Sequence, residues 1–349
     1  MASLPHRPGR LALVGALAAV ALVTSACAHS GSSASAPAAA PSTISNPATM
    51  TTVTVGITGA TAPPTFLPLI ADKLGLDTAN NLRISFVTLA PNVTAQALTK
   101  GSVDVLAAPS VETAILQGAP FRIFAGAAES YWHFVANNGI ANWAGLAGKK
   151  VALPCGQAAT CHSFMTDLLQ AHGVDPNKVT FIYGTAQATY ESLAAGSVDA
   201  ALTTAPYTYS LQTAGKTKEF DITSAQKYLS TQFTASVSFI NNHPDVISAF
   251  VKSMAAAEQK LTTTPLDPKV LSTIDAYEQA NGINPATLDQ QRFLTEFATD
   301  RSWQLVPTKT LITADLDLLK EIPQFTSSAA NAKFTDLVYQ MPEFAGQYG

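Results

Sequence analysis

The sequence predicts an α/β protein of two lobes, each a strand–helix–strand–helix–strand unit around a parallel sheet. Three observations lead there. The block Gly-Ser-Val-Asp at 101–104 returns at 196–199, 95 positions later. Each copy follows the same order of β-rich and helical stretches. The first helical stretch of each copy stops at a glycine, Gly75 or Gly173, where a helix C-cap needs positive φ.

The first element lies outside either lobe. Arg7 and Arg10 precede an apolar run at 11–23, followed by Thr24, Ser25 and Ala26, the parts of a secretory signal. The run is shorter than the roughly 20 residues a bilayer span needs, and no later stretch is long and apolar enough. Cys27, after Ser25 and Ala26, resembles the lipidated (palmitate-bearing) cysteine of a bacterial lipobox. Thr24 stands where Leu or Val is usual, and the alternative is plain secretion with Cys27 unmodified. Residues 28–50 are almost wholly Ser, Ala, Pro, Thr, Gly and Asn, a composition that cannot bury enough surface to order itself. The expected order is signal 1–26, lipidated Cys27 with a flexible tether to 50, and a folded body from 51.

The body is large enough for two cores. Apolar residues make up 47% of the chain and charged ones 13%, as suits a compact globule. Net charge is −4 and Lys and Arg do not cluster, which argues against nucleic acid. In the first copy, an alternating stretch at 53–57 enters a small-residue loop and then a helix carrying Phe66, Leu69, Ile70 and Leu74. Strands are expected at 82–87 and 103–107. In the second copy, 151–153 leads through a Gly/Ala/Thr loop to a helix with Phe164, Leu168 and Leu169, then strands at 179–183 and 199–203. Such βαβαβ units bind ligands beyond the carboxyl ends of their strands, and clefts between lobes are favoured pocket sites.

Several further residues fit one family: Gly145, Gly148, Lys149, Lys150 and Pro154; Gly173, Asp175 and Pro176; Ala195 to Ala200 with Pro206; and Ala97, Leu98, Gly118 and Pro120. The chain resembles the type-II periplasmic-binding-protein fold of ABC importers, in the group of sulfonate, nitrate and thiamine-precursor binders, over roughly 53–260. The resemblance implies two lobes with mixed, mostly parallel sheets joined by a two-strand hinge. Crossings are expected near 134–138 and 233–242, with lobe one at 51–136 plus 240–349 and lobe two at 139–235. It also implies a small-molecule ligand, a permease and its ATPase as partners, a place on the outer face of the cell membrane, and neither cofactor nor catalysis.

Five loops are expected to face the cleft. Thr58, Gly59, Ala60 and Thr61 would offer backbone N–H groups at a helix start, or form a plain turn. Ser110 would bond to the ligand or cap the next helix. Tyr131 and Trp132 would stack on a planar ligand, or one of them would pack in the core; Glu129 and His133 flank them. Gly156 and Gln157 lie between Cys155 and Cys161, which could pair as a disulfide, stay free, or join a metal site, the last disfavoured because only His162 is adjacent. Thr204 and Tyr207 follow the last strand, Tyr207 closing over the ligand or filling core.

No Gly-x-Ser-x-Gly, His-Glu-x-x-His or Gly-x-x-x-x-Gly-Lys-[Ser/Thr] pattern is present. Enzymes that share the fold work inside cells, against the export signal. Arg83, Arg122, Arg292 and Arg301 all fall outside the five loops. The favoured ligand is therefore a neutral or weakly cationic heteroaromatic such as a pyrimidine precursor of thiamine, with a sulfonate or nitrate as the alternative.

Overall fold

The computed structural model describes residues 44–349 except 61–62, 110, 216, 226, 285–288 and 301, with Pro91 in backbone only. The signal segment, Cys27 and the tether to residue 43 lie outside the described residues. Residues 44–50, expected as tether, belong to the body instead. Lys252 Nζ donates to the Ile44 carbonyl (2.7 Å), and Asn81 Nδ2 to the Pro47 carbonyl (2.8 Å). These hydrogen bonds hold the segment on the body, with Pro47 buried and Ile44 half-buried.

The first copy comprises β1 (Thr51–Ile57), α1 (Pro63–Lys73), β2 (Leu82–Thr88), α2 (Thr94–Thr99), β3 (Val105–Ala108), α3 (Glu112–Leu116) and β4 (Phe121–Glu129). The second runs through β5 (Trp132–Asn137), β6 (Lys150–Leu153), α4 (Thr160–Ala171), β7 (Thr180–Tyr183), α5 (Ala186–Ala194), β8 (Ala200–Thr204), α6 (Tyr207–Thr213) and β9 (Thr217–Phe220). Then come β10 (Leu229–Ser236), α7 (Val237–Asn242), α8 (Pro244–Thr262), α9 (Pro268–Ala280), α10 (Gln290–Thr299) and α11 (Lys309–Lys320).

Two five-stranded sheets result, in the orders β2-β1-β3-β10-β4 and β7-β6-β8-β5-β9. Within each, four strands run in one direction and one, β10 or β5, runs against its two neighbours. The crossings differ from expectation. All of β5 lies in the second sheet and all of β10 in the first, so the chain passes between lobes at 130–131 and 221–228. By sheet membership lobe two spans 132–220, and lobe one joins 44–129 to 229–349. The alternation that suggested a crossing at 233–242 ends at Ser236, whose hydroxyl accepts from Phe239 N–H (3.0 Å) and starts α7.

The repeated block has one structural task in both copies. Gly101 and Gly196 take φ of +66° and +72° to end α2 and α5. Val103 and Val198 are buried. Asp104 accepts from Thr54 N–H (2.8 Å) and Asp199 from Lys150 N–H (2.9 Å), each while its own N–H donates to the carbonyl of the same residue. The aspartate thereby clasps the first strand of its copy at the point where the third begins.

The first core gathers Val53, Phe66, Phe124, Phe233 and Phe250; the second gathers Phe134, Leu146, Met165, Leu169 and Leu202. Helix α11 serves both. Leu311, Ile312, Leu316 and Leu319 enter the first core, while Ala314 and Leu318 join the second against α4.

Hydrogen bonds to a charged group contribute roughly 1.5–3 kcal/mol. Asp104→Ala should therefore lower unfolding stability by about 2 kcal/mol in urea titration. Asp199→Ala should cost less, because its bond is exposed to solvent.

Candidate ligand-binding site

Strand direction fixes where the site can be. The carboxyl ends of β1, β3, β6 and β8 point to the gap between the lobes, and the amino ends of the antiparallel β5 and β10 start there. Register puts Trp132 opposite Thr204 and Gln232 opposite Ala108. The cleft edge of lobe one thus carries the loops after β1 and β3 with the start of β10. That of lobe two carries the loops after β6 and β8 with the start of β5.

A cavity of about 530 Å³ opens beside the first crossing. Ser130, Tyr131 and Trp132 line it together with Phe164 and Tyr209 of lobe two and Phe293, Glu296 and Phe297 of lobe one. The rings of Tyr131 and Trp132 stack at 5.7 Å and 13°, and Tyr131 meets Phe297 edge-on at 5.3 Å. Trp132 Nε1 donates to the Tyr228 hydroxyl (2.6 Å), and Tyr228 packs against Phe164 (5.7 Å).

The other expected residues that the structure describes lie outside this cavity's lining. Thr58, Gly59 and Ala60 follow β1 half-buried, and the Gly59 carbonyl accepts from Thr65 Oγ1 (2.6 Å). Cys155 and Cys161 form a disulfide, Cα atoms 6.4 Å apart, and close the loop holding the exposed Gly156 and Gln157. Thr204 is buried at the end of β8, and Tyr207 stacks on Tyr190 of α5 at 5.1 Å. Thr61 and Ser110 lie outside the described residues.

Among the described residues the cavity's ionised lining is mostly acidic: Glu219, Asp221, Glu296 and Asp300 against Lys227 and the titratable His133. Lys227 pairs with Glu129 (3.1 Å). Arg292, outside the expected loops, reaches the cavity's edge, where it bonds Glu296 Oε1 (2.8 Å) and lies 3.9 Å over the Tyr209 ring. Tyr209 donates its hydroxyl proton to Glu296, so this trio ties lobe two to lobe one.

Behind Tyr228 lies a group that sequence reasoning missed. Glu112, at the start of α3, and Asp315, on α11, are buried to 1% and 0% exposure. Gln232 Nε2 donates to Glu112 Oε1 (2.6 Å). Burial pushes the Glu112 carboxyl up to about 7 and raises Asp315 well above the usual range, with the Glu112 charge adding to the latter. Burial also raises the Tyr228 phenol, and the nearby Asp315 adds to that. Asp315 did leave a signal in the sequence, since it sits at helical spacing between Leu311 and Leu319, a charged residue in an apolar stripe.

A carboxyl raised in the folded state holds a proton that the unfolded chain has released. The stability from Glu112 protonation is full below about 4.5 and is lost as pH rises through about 7, an effect on the order of 3 kcal/mol. Glu112→Gln should remove that dependence. Urea unfolding should find the variant more stable than wild type at pH 8 and close to it at pH 4.5.

Against this geometry, comparison with known proteins is informative. A family model described as NMT1/THI5 like matches residues 69–267, more than half of the chain. No curated protein matches in sequence. Among solved structures, the alkanesulfonate-binding protein SsuA of Xanthomonas axonopodis pv. citri, bound to MOPS, aligns with TM-score 0.62 at 17% identity, over 84% of this chain and 100% of that one. The periplasmic aliphatic sulphonate-binding protein SsuA of Escherichia coli gives 0.63 at 14%, over 83% and 92%. The periplasmic nitrate-binding protein NrtA of Synechocystis PCC 6803 gives 0.61 at 14%, over 82% and 85%. At such identities these neighbours speak to the fold alone. With its paired sheets, double crossing and interlobe cleft, the chain belongs to the NMT1/THI5-like family and has the type-II periplasmic-binding-protein fold of ABC-type substrate-binding proteins.

Proposed function

We propose that this chain is the extracytoplasmic solute-binding component of an ABC importer, held at the outer face of the cell membrane through a lipid on Cys27. It captures a small organic nutrient in the interlobe cleft and passes it to a permease and its ATPase. The favoured ligand is a neutral or weakly cationic heteroaromatic, such as a pyrimidine precursor of thiamine.

The charge of the cleft carries the ligand class. Its ionised lining is mainly acidic, Lys227 is already paired, and Glu112 and Asp315 lie buried behind it. An anion entering there would meet the like charge of carboxylates at the cavity's rim. Helix α1 adds to the argument, because it opens with Pro63 and Pro64, which have no N–H to offer an oxyanion. Tyr131 and Trp132 supply faces for a flat ring. The competing reading, a sulfonate or nitrate, draws on the start of α4 at the cleft edge, where the Thr160 and Cys161 amides precede the first helical bond, from His162 N–H to the Ala159 carbonyl (2.9 Å).

Mass spectrometry of compounds released from the purified protein by denaturation tests the reading. The expected result is a nitrogen heterocycle. A sulfonate or nitrate would overturn the ligand class, and turnover of the compound on incubation would overturn transport in favour of an enzyme. Trp132→Ala should weaken binding of the released compound about tenfold in calorimetric titration, a loss of ~1.4 kcal/mol.

A further inference from the structure

Four oxygens meet behind Tyr228 with no side-chain donor from another described residue in hydrogen-bond geometry. Glu112 Oε2, Gln232 Oε1 and both carboxyl oxygens of Asp315 have no hydrogen-bond partner. The Leu229 amide acts on Asp315 and the Glu112 amide on its own carboxyl, but neither closes a bond to these four oxygens. No basic side chain among the described residues acts on either carboxyl. Buried polar groups are paired as a rule, and each orphan costs roughly 1–3 kcal/mol. Orphans gathered from three separate elements, α3, β10 and α11, therefore call for a function.

Their place supplies one. Glu112 opens the helix after β3, Gln232 lies beside the last residue of β3, and Asp315 sits on the helix that contacts both lobes. Tyr228 separates the group from the cavity. Its ring is 1% exposed, its hydroxyl holds Trp132 Nε1, and its face meets Phe164, two residues that line the cavity.

We propose that Glu112, Gln232 and Asp315 form the recognition site for the cationic end of the ligand, a planar group with several N–H donors such as an amidinium or aminopyrimidinium, and that Tyr228 is the movable wall between this site and the cavity. The assignment rests on the solute-binding reading above. Its chemistry follows from the acceptors. A set of oxygens needs donors, which excludes anions and quaternary ammonium groups alike. A carboxylate is matched best by parallel N–H bonds from a flat cation. The cation would displace protons from the raised carboxyls of Glu112 and Asp315, whose charge then holds it, and the ring of the ligand would lie against Tyr131 and Trp132.

Calorimetric titration with benzamidine, benzamide and benzenesulfonate tests this on wild type, Glu112→Gln and Asp315→Asn. These probes share a ring and differ in charge and donors. Wild type should bind benzamidine, bind benzamide at least about tenfold more weakly, and ignore benzenesulfonate. Each substitution should weaken benzamidine binding about tenfold or more while leaving the urea midpoint at pH 8 unchanged or higher, which loss of a structural contact would not do. A wild type that ignores benzamidine or prefers either other probe overturns the proposal, and this comparison needs no variant to fold. Folded variants that keep benzamidine affinity overturn it too. None of these results touches the importer reading, which is decided by the compound that the protein releases.

Discussion

The arrangement depends on an exchange of strands. β10 is made after the second lobe but sits between β3 and β4 in the first sheet, and β5 sits between β8 and β9 in the second. Antiparallel pairing on both sides of each exchanged strand pins the two crossings. It also brings them together: Ser130 N–H donates to the Tyr228 carbonyl (2.8 Å), and Trp132 Nε1 reaches the Tyr228 hydroxyl. The aromatic wall of the cavity is thus a by-product of how the sheets are completed. The Asp104 and Asp199 clasps give each half the rigidity that a hinge needs at both ends.

The parts of this architecture that depend on neighbours in sequence were legible there. Strand and helix periods, the glycines at 75 and 173, and the repeated block located the two βαβαβ units to within a residue or two. The crossings were not legible in the same way, because alternation marks a strand and says nothing of which sheet accepts it. Residues 134–137 alternate as expected, yet their partners are β8 and β9. The cleft loops followed from topology. The cavity's acidic rim, drawn from α10 and the segment after β9, carries no local pattern and depended on the three-dimensional path. Glu112 and Gln232 could have been noticed only as polar residues in apolar company, and nothing in the sequence tells that they meet Asp315.

A shared fold does not by itself set the ligand. Neighbours of the same fold are named for sulfonates and nitrate, whereas this cleft places prolines at the start of α1 and buried acids behind its aromatic wall. A shared scaffold fixes where a guest sits, and the side chains at the strand ends decide its charge. Arg292 at the cavity's edge illustrates the point: its charge is spent on Glu296 and the Tyr209 ring, in a bridge between lobes.

The place of β10 also sets an order of assembly. The strands of the second lobe are contiguous in the chain, so its sheet can finish as soon as β9 has been made, although α11 completes its core later. The first lobe cannot, since β4 has no sheet neighbour until residues 229–236 arrive. Long-range pairing of this kind is slow and leaves an open sheet edge meanwhile. The half that begins first is therefore completed last, and a chain halted between β4 and β10 would expose that edge to whatever strand comes near.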